Sequence, residues 1–151
     1  MKLSSPAFDE GKTIPSIYTC EGIGINPPLE ISGVPEKTKS LVLIMDDPDV
    51  PKSLYPTGIF DHWIVIDMPP DTKFIKENSK PPGIEGKNSN GTNGYFGPCP
   101  PDREHRYFFK LYALDKPLSL HAGCTKAQVE KAMHGHILKE SHLMGRYEKG
   151  K

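Results

Sequence analysis

Three short apolar runs constrain this chain more than any other feature. They read SLVLIM (Ser40 to Met45), HWIVIDM (His62 to Met68) and YFFKLYAL (Tyr107 to Leu114). Each is short and rich in β-branched or aromatic residues, so each reads as a strand. The first is unbroken by polar residues and stops at Asp46-Asp47-Pro48, which suits a strand buried on both faces. The connections between the runs are long. Pro48, Pro51 and Pro56 punctuate one, and the span from Pro69 to Pro101 holds Pro81-Pro82-Gly83 and several Asn/Gly clusters. Connections this long in a compact domain are usually functional or mobile.

One helix is expected, over about residues 125–137. Thr125 is a good N-cap and Gln128 completes a capping box, after which Val129, Ala132, Met133 and His136 follow helical spacing. His142 to Glu148 (HLMGRYE) reads as a last strand. A mainly β fold follows, in one domain spanning residues 1–151, with an antiparallel or mixed sheet rather than a βαβ repeat. The 16 prolines and 14 glycines agree with a β-rich, loop-rich domain.

Charge is balanced, 19 Lys+Arg against 19 Asp+Glu, which removes the electrostatic case for a nucleic-acid or anionic-membrane partner. No run approaches 18 apolar residues, so no integral membrane segment is expected, and the N-terminal stretch lacks the apolar core of a signal peptide. Cys20, Cys99 and Cys124 are odd in number, widely spaced and without a C-x-x-C pair. Reduced thiols and a cytoplasmic location are the expectation, with Cys20 and Cys124 as buried small apolar residues.

The strand ends carry the chemistry. Asp47 lies at the exit of the first run, His62 at the entrance of the second and His105 at the entrance of the third. If the first strand runs antiparallel to the other two, these ends meet at one rim. Alternation puts His105 and Tyr107 on one face, sends Arg106 to the other as a structural ion pair, and turns Trp63 away from His62 into the core. A cationic histidine, a tyrosine hydroxyl and a free backbone N–H would bind a small anion such as phosphate. In Pro98-Cys99-Pro100-Pro101 only Cys99 has a backbone N–H, so the prolines would hold one donor in fixed orientation, with the thiol idle.

The segments DDPDVP (Asp46 to Pro51), FDHWIVIDMP (Phe60 to Pro69) and GPCPP followed by HRYFFKLYALD (Gly97 to Asp115) resemble the phosphatidylethanolamine-binding protein family, which includes the Raf kinase inhibitor proteins. YTCEGIGINPPLEISGVP (Tyr18 to Pro35) and GHILKESHLMGRY (Gly135 to Tyr147) resemble its bacterial and archaeal branch. The resemblance implies a large antiparallel-dominated sheet packed on a smaller one, and a pocket for small anions and phosphate-bearing head groups. It assigns Asp47, His62, His105 and Tyr107 to that pocket, with Asp49, Gly97 and Pro100 of the accompanying motifs as further ligand-binding residues and the Cys99 N–H as the anion's backbone donor. It further implies lipid binding or inhibition of a kinase or protease rather than catalysis, no cofactor or metal, and a homodimer. Asp102-Arg103-Glu104 departs from the Gly-rich link of many relatives, and the C-terminal helix of animal members is expected to be absent. The alternative is a metal- or His/Asp-assisted hydrolase of small phosphoesters, against which stands the lack of any H-E-x-x-H spacing or nucleophile elbow.

Overall fold

The computed structural model describes residues 1–150. The three apolar runs are the three central strands of a five-stranded sheet. They are β3 (Ser40–Asp47), β4 (Phe60–Met68) and β7 (His105–Leu114), numbered in a chain that begins with β1 (Lys2–Ser4) and β2 (Leu29–Ser32). With β6 (Ile84–Glu85) and β8 (Ile137–Tyr147) at the edges, the sheet order is β6-β4-β3-β7-β8, every neighbour antiparallel. All eight residues of β3 are buried, as an unbroken apolar run at the centre of a covered sheet requires.

The two faces of this sheet are covered differently. On one, Leu41, Leu43, Met45, Trp63, Tyr107, Phe109 and Leu111 pack on a small sheet of β1, β2 and β5 (Phe74–Ile75), which contributes Leu3, Leu29, Ile31 and Ile75. On the other, Val42, Ile44, Ile64 and Ile66 pack beneath helix α1 (Lys126–Met133) through Val129 and Met133. Each fully buried aliphatic or aromatic side chain contributes roughly 1.5–3 kcal/mol relative to exposure.

The capping box forms as expected. Gln128 N–H donates to Thr125 Oγ1 at 3.2 Å, and Thr125 N–H donates to Gln128 Oε1 at 3.0 Å. The helix stops at Met133 rather than near 137, because His134 leaves helical geometry and Gly135 takes a left-handed φ of 81°. His136 lies in the link, with Nδ1 2.8 Å from Asp115 Oδ1. The last strand is longer than expected, and its first half is largely exposed, so it carried no apolar stripe.

The cysteines overturn the expectation of three reduced thiols. Cys20 and Cys99 form a disulfide with Cα atoms 5.4 Å apart, across a sequence separation of 79. The odd count is one bridge plus the buried free Cys124. Neither partner is the buried apolar cysteine that was expected of Cys20; both are exposed. Partners so distant in sequence leave no local spacing to read.

Candidate functional site

The antiparallel pairing of β3 with β4 and β7 brings Asp47 beside Phe60 and sets the first residues of β7 at the same rim. A cavity of about 190 Å³ opens there, lined by Asp47, His62, Phe96, Cys99, His105 and Tyr107 together with Val50, Leu54, Tyr55, Phe60 and Pro101. A larger hollow of about 540 Å³ beside α1, bounded by Leu120, His121, Cys124 and Lys131, shares no residue with it.

Strict alternation would not have put His62 there. Met45 pairs with Trp63 but Asp46 pairs with Asp61, so β4 advances two residues where β3 advances one. His62 is the extra residue of a β-bulge, which re-aims its side chain. Without the bulge it would share the helix-covered face with Ile64 and Ile66. With it, the ring reaches the pocket and meets Tyr107 edge-on, 5.3 Å between centroids, while Trp63 keeps the same side of the sheet rather than turning away.

His62 is 3% exposed, and its Nδ1 lies 2.6 Å from the Phe96 carbonyl oxygen. A carbonyl only accepts, so Nδ1 carries the hydrogen and Nε2 is left with its lone pair. Burial depresses the pKa of this ring to about 4, outweighing the Phe96 contact that favours the charge. His62 is therefore neutral near pH 7, not the cation expected from a nearby carboxylate.

His105 is fully buried between two carboxylates: Nδ1 is 2.6 Å from Asp47 Oδ2, and Nε2 is 2.6 Å from Asp102 Oδ1. A neutral imidazole has one N–H, so two such contacts need one further proton, on the ring or on a carboxylate. Burial raises the Asp47 pKa, and the His105 bond only partly offsets it. The second Asp47 oxygen accepts from Asp49 N–H at 2.8 Å, the local turn contact that Asp-Pro-Asp favours. Asp102 escaped the sequence reading; its signal was the charged Asp-Arg-Glu link itself.

Tyr107 is fully buried, and its hydroxyl makes no hydrogen bond of ordinary geometry among the described residues, although the Asp47 carboxylate lies near enough to act on it. Burial first, then the Asp47 charge, push its pKa far up, so it stays protonated. A buried hydroxyl left unpaired costs roughly 1–3 kcal/mol, and one facing a cavity is open to a partner there.

Other expected site residues stand outside the lining. Asp49 forms a two-pronged pair with Arg106, whose Nη2 lies 2.8 Å from Oδ1 and Nε 2.9 Å from Oδ2, and this bond holds the Asp49 pKa down. That is the structural ion pair expected of Arg106. Pro100 is buried but does not line the cavity, where Pro101 takes its place. Gly97 serves a close approach: a Cβ there would sit 2.7 Å from the Tyr18 carbonyl oxygen. Cys99 does line the pocket, but its side chain is spent on Cys20, so the thiol is not idle. The aromatic mouth of Tyr55, Phe60 and Phe96 was missed because it lies in or beside irregular loops, where no period marks a face. Tyr55 and Phe60 meet edge-on at 5.1 Å, and Phe60 lies 4.6 Å from the His62 ring.

The family model described as phosphatidylethanolamine-binding protein matches residues 4–148. The chain belongs to this family. It is 49% identical over 149 residues to a UPF0098 protein of Chlamydia trachomatis, covering 99% of both chains, and 46% identical over 156 residues to one from Methanothermobacter thermautotrophicus, covering 99% of this chain and all of that one. Among solved structures, a C. trachomatis protein described as a homologue of the family superposes with a TM-score of 0.96 at 49% identity, covering 98% of this chain and 97% of that one. Escherichia coli YbcL, described as a new member of the mammalian family, superposes at 0.87 with 27% identity, and 97% of each chain is covered. The two-sheet fold expected from the sequence is thus the family's fold.

Proposed function

We propose that this protein is a binding module whose rim pocket takes a small anion or phosphate-bearing head group, and that it acts through binding rather than catalysis. The observation that carries this is the Tyr107 hydroxyl, without a hydrogen bond of ordinary geometry, in a cavity also lined by His62 and His105. The volume, about 190 Å³, suits one phosphate-sized group with a short appendage. The apolar mouth of Leu54, Tyr55, Phe60 and Phe96 suits the less polar remainder of such a ligand.

Binding is favoured over hydrolysis by how the reactive groups are used. Both ring nitrogens of His105 face carboxylates, and the cysteine of the lining is disulfide-bonded, so neither offers a ready nucleophile or base. Inhibition of a kinase or protease would be a consequence of such binding, and pairing of two copies belongs to the same proposal. Calorimetric titration with inorganic phosphate and phosphoethanolamine near pH 6 tests the pocket. Tyr107→Phe and His62→Ala are expected to weaken binding about tenfold each, since one good hydrogen bond to a charged group contributes roughly 1.5–3 kcal/mol. No heat of binding in the parent protein, or full retention in both variants, would overturn the proposal.

A further inference from the structure

We infer that the Cys20–Cys99 disulfide is a site of thiol–disulfide exchange that controls the rim pocket: the bridged chain holds its anion, and opening of the bridge by a dithiol loosens the pocket wall and weakens the hold. This rests on the pocket reading above and adds the control of that same site. The bridge joins two exposed residues, and one of them, Cys99, lines the cavity. Exposed disulfides are the labile and regulatory ones, within reach of a thiolate without unfolding. The third cysteine does not compete. Cys124 is buried in the cluster on the helix side of the sheet, and burial pushes its thiol pKa up, so little thiolate forms there.

The loop that carries this wall has little else to hold Cys99 in place. At its start Phe96 is tied to His62 twice: its N–H donates to the His62 carbonyl oxygen at 2.9 Å, and its own carbonyl oxygen accepts from Nδ1 at 2.6 Å. At its end Asp102 Oδ1 lies 2.6 Å from His105 Nε2. Between these ties, Pro98, Pro100 and Pro101 have no N–H to donate. Among the described residues, 97–101 take part in one hydrogen bond, Cys20 N–H to Pro98 O at 3.0 Å, and its donor is the other bridge residue. The prolines fix the shape of the loop through φ, but they cannot fix its place against the rest of the chain. The bridge does that.

Cys20 is a firm post for it. Thr19 N–H donates to Ser16 O at 3.0 Å and Gly22 N–H to Thr19 O at 3.1 Å, so the bridge residue sits between two turns. Once the bridge opens, residues 97–101 keep a single hydrogen bond to that post, and the Cys99 N–H moves with them. The exchange itself is simple. One thiolate of the dithiol attacks a bridge sulfur, the Cys20–Cys99 bond breaks and a mixed disulfide forms. The second thiol of the dithiol then closes its own cyclic disulfide. Two electrons and two protons pass to the protein, which is left with two thiols, and the dithiol is oxidised. Reformation of the bridge by a cyclic or linear disulfide runs the same steps backward.

The experiment equilibrates the full chain, without denaturant, in mixtures of dithiothreitol and its cyclic disulfide, and counts thiols by alkylation and mass. The bridge is expected to open in native buffer while circular dichroism shows the β fold retained. Calorimetry with inorganic phosphate is expected to show binding to the reduced protein weaker by about tenfold, the loss of one good hydrogen bond to a charged group. Coupling is reciprocal, so phosphate at a concentration saturating both forms should shift the dithiol–disulfide equilibrium toward the bridge by the same factor of about ten. The double variant Cys20→Ser, Cys99→Ser should bind phosphate as the reduced protein does and ignore dithiothreitol. A bridge that opens only in denaturant, or equal phosphate affinity in the two redox states with no shift of the equilibrium, would overturn the inference and leave the pocket intact. Loss of binding together with loss of the fold on reduction would overturn it as well, because the bridge would then be structural alone. No phosphate binding by the bridged protein would overturn the pocket reading and this inference with it.

Discussion

Cys20 is covalently bound to Cys99, and this bridge ties the segment after the 3-10 turn at Ser16–Tyr18 to the wall of the histidine pocket. The same junction is pinned by Cys20 N–H on Pro98 O at 3.0 Å and by the Tyr95 hydroxyl on Tyr18 O at 2.7 Å. The stiffness given to the loop by its prolines is therefore reinforced by an anchor to the far end of the chain.

Because the bridge closes a long loop, its loss should release unfolded-state entropy. Cys20→Ser, or reduction of the parent protein, is expected to cost roughly 2–4 kcal/mol in guanidinium unfolding. An unchanged midpoint with and without reductant would count against a structural role for the bridge.

Gly97 and Gly145 are among the glycines that hold approaches too close for any side chain. A Cβ at Gly97 would lie 2.7 Å from Tyr18 O, and one at Gly145 would lie 2.6 Å from Ile14 Cγ1 and 2.8 Å from Phe8 Cε2. Gly145→Ala overpacks the core and Gly97→Ala pushes on backbone, so each should lose about 1–3 kcal/mol. Gly97→Ala should also weaken phosphate binding, and Gly145→Ala much less. The reverse ranking in a titration would contradict a role for Gly97 in holding the loop that carries the lining residues Phe96 and Cys99.

On the helix side of the sheet, Lys126 Nζ bridges two carboxylates, 3.3 Å from Asp46 Oδ2 and 2.9 Å from Asp61 Oδ1. Burial works against its charge, but the Asp61 and Asp46 contacts outweigh it and the pKa ends above its ordinary value. Lys126→Met should destabilise by about 3 kcal/mol, since it strands buried negative charge that only Lys110 Nζ, 3.0 Å from Asp46, still offsets. Simultaneous Asp46→Asn and Asp61→Asn changes should recover much of the loss. A double-mutant cycle with no coupling would refute the bridge.

His62 makes stability depend on mild acid. Its folded pKa of about 4 lies below the unfolded value of about 6.5, so the unfolded chain binds the extra proton between those pH values. Stability is fully present above about pH 6.5 and should fall by about 3 kcal/mol as pH drops toward 4. Asp47, whose pKa burial raises, opposes this slope in part. Urea unfolding at pH 7, 5.5 and 4.5 measures it, and His62→Gln should flatten the curve. Parallel curves for the two proteins would show that another group carries the slope.

Much of this fold is legible along the chain alone. The one unbroken apolar run, that of β3, can only be covered on both faces, the β-branched and aromatic content of the other two marked them as strands, and a reciprocal Thr125/Gln128 cap is a local event that needs no tertiary partner. Local motifs likewise carried the family and most of the rim residues. The edge strand from Ile137, the small sheet and the aromatic mouth were not legible, because each depends on what packs against it rather than on a period along the chain. The disulfide was invisible for the same reason: Cys20 and Cys99 meet only once the domain has closed. Alternation along β4 would even have sent His62 under the helix. Its place in the pocket was decided by one register shift against β3, and its charge by the depth to which the folded chain buries it. Spacing fixes which residues are near one another along a strand; only the packed structure fixes which face they turn to, and how much water they keep.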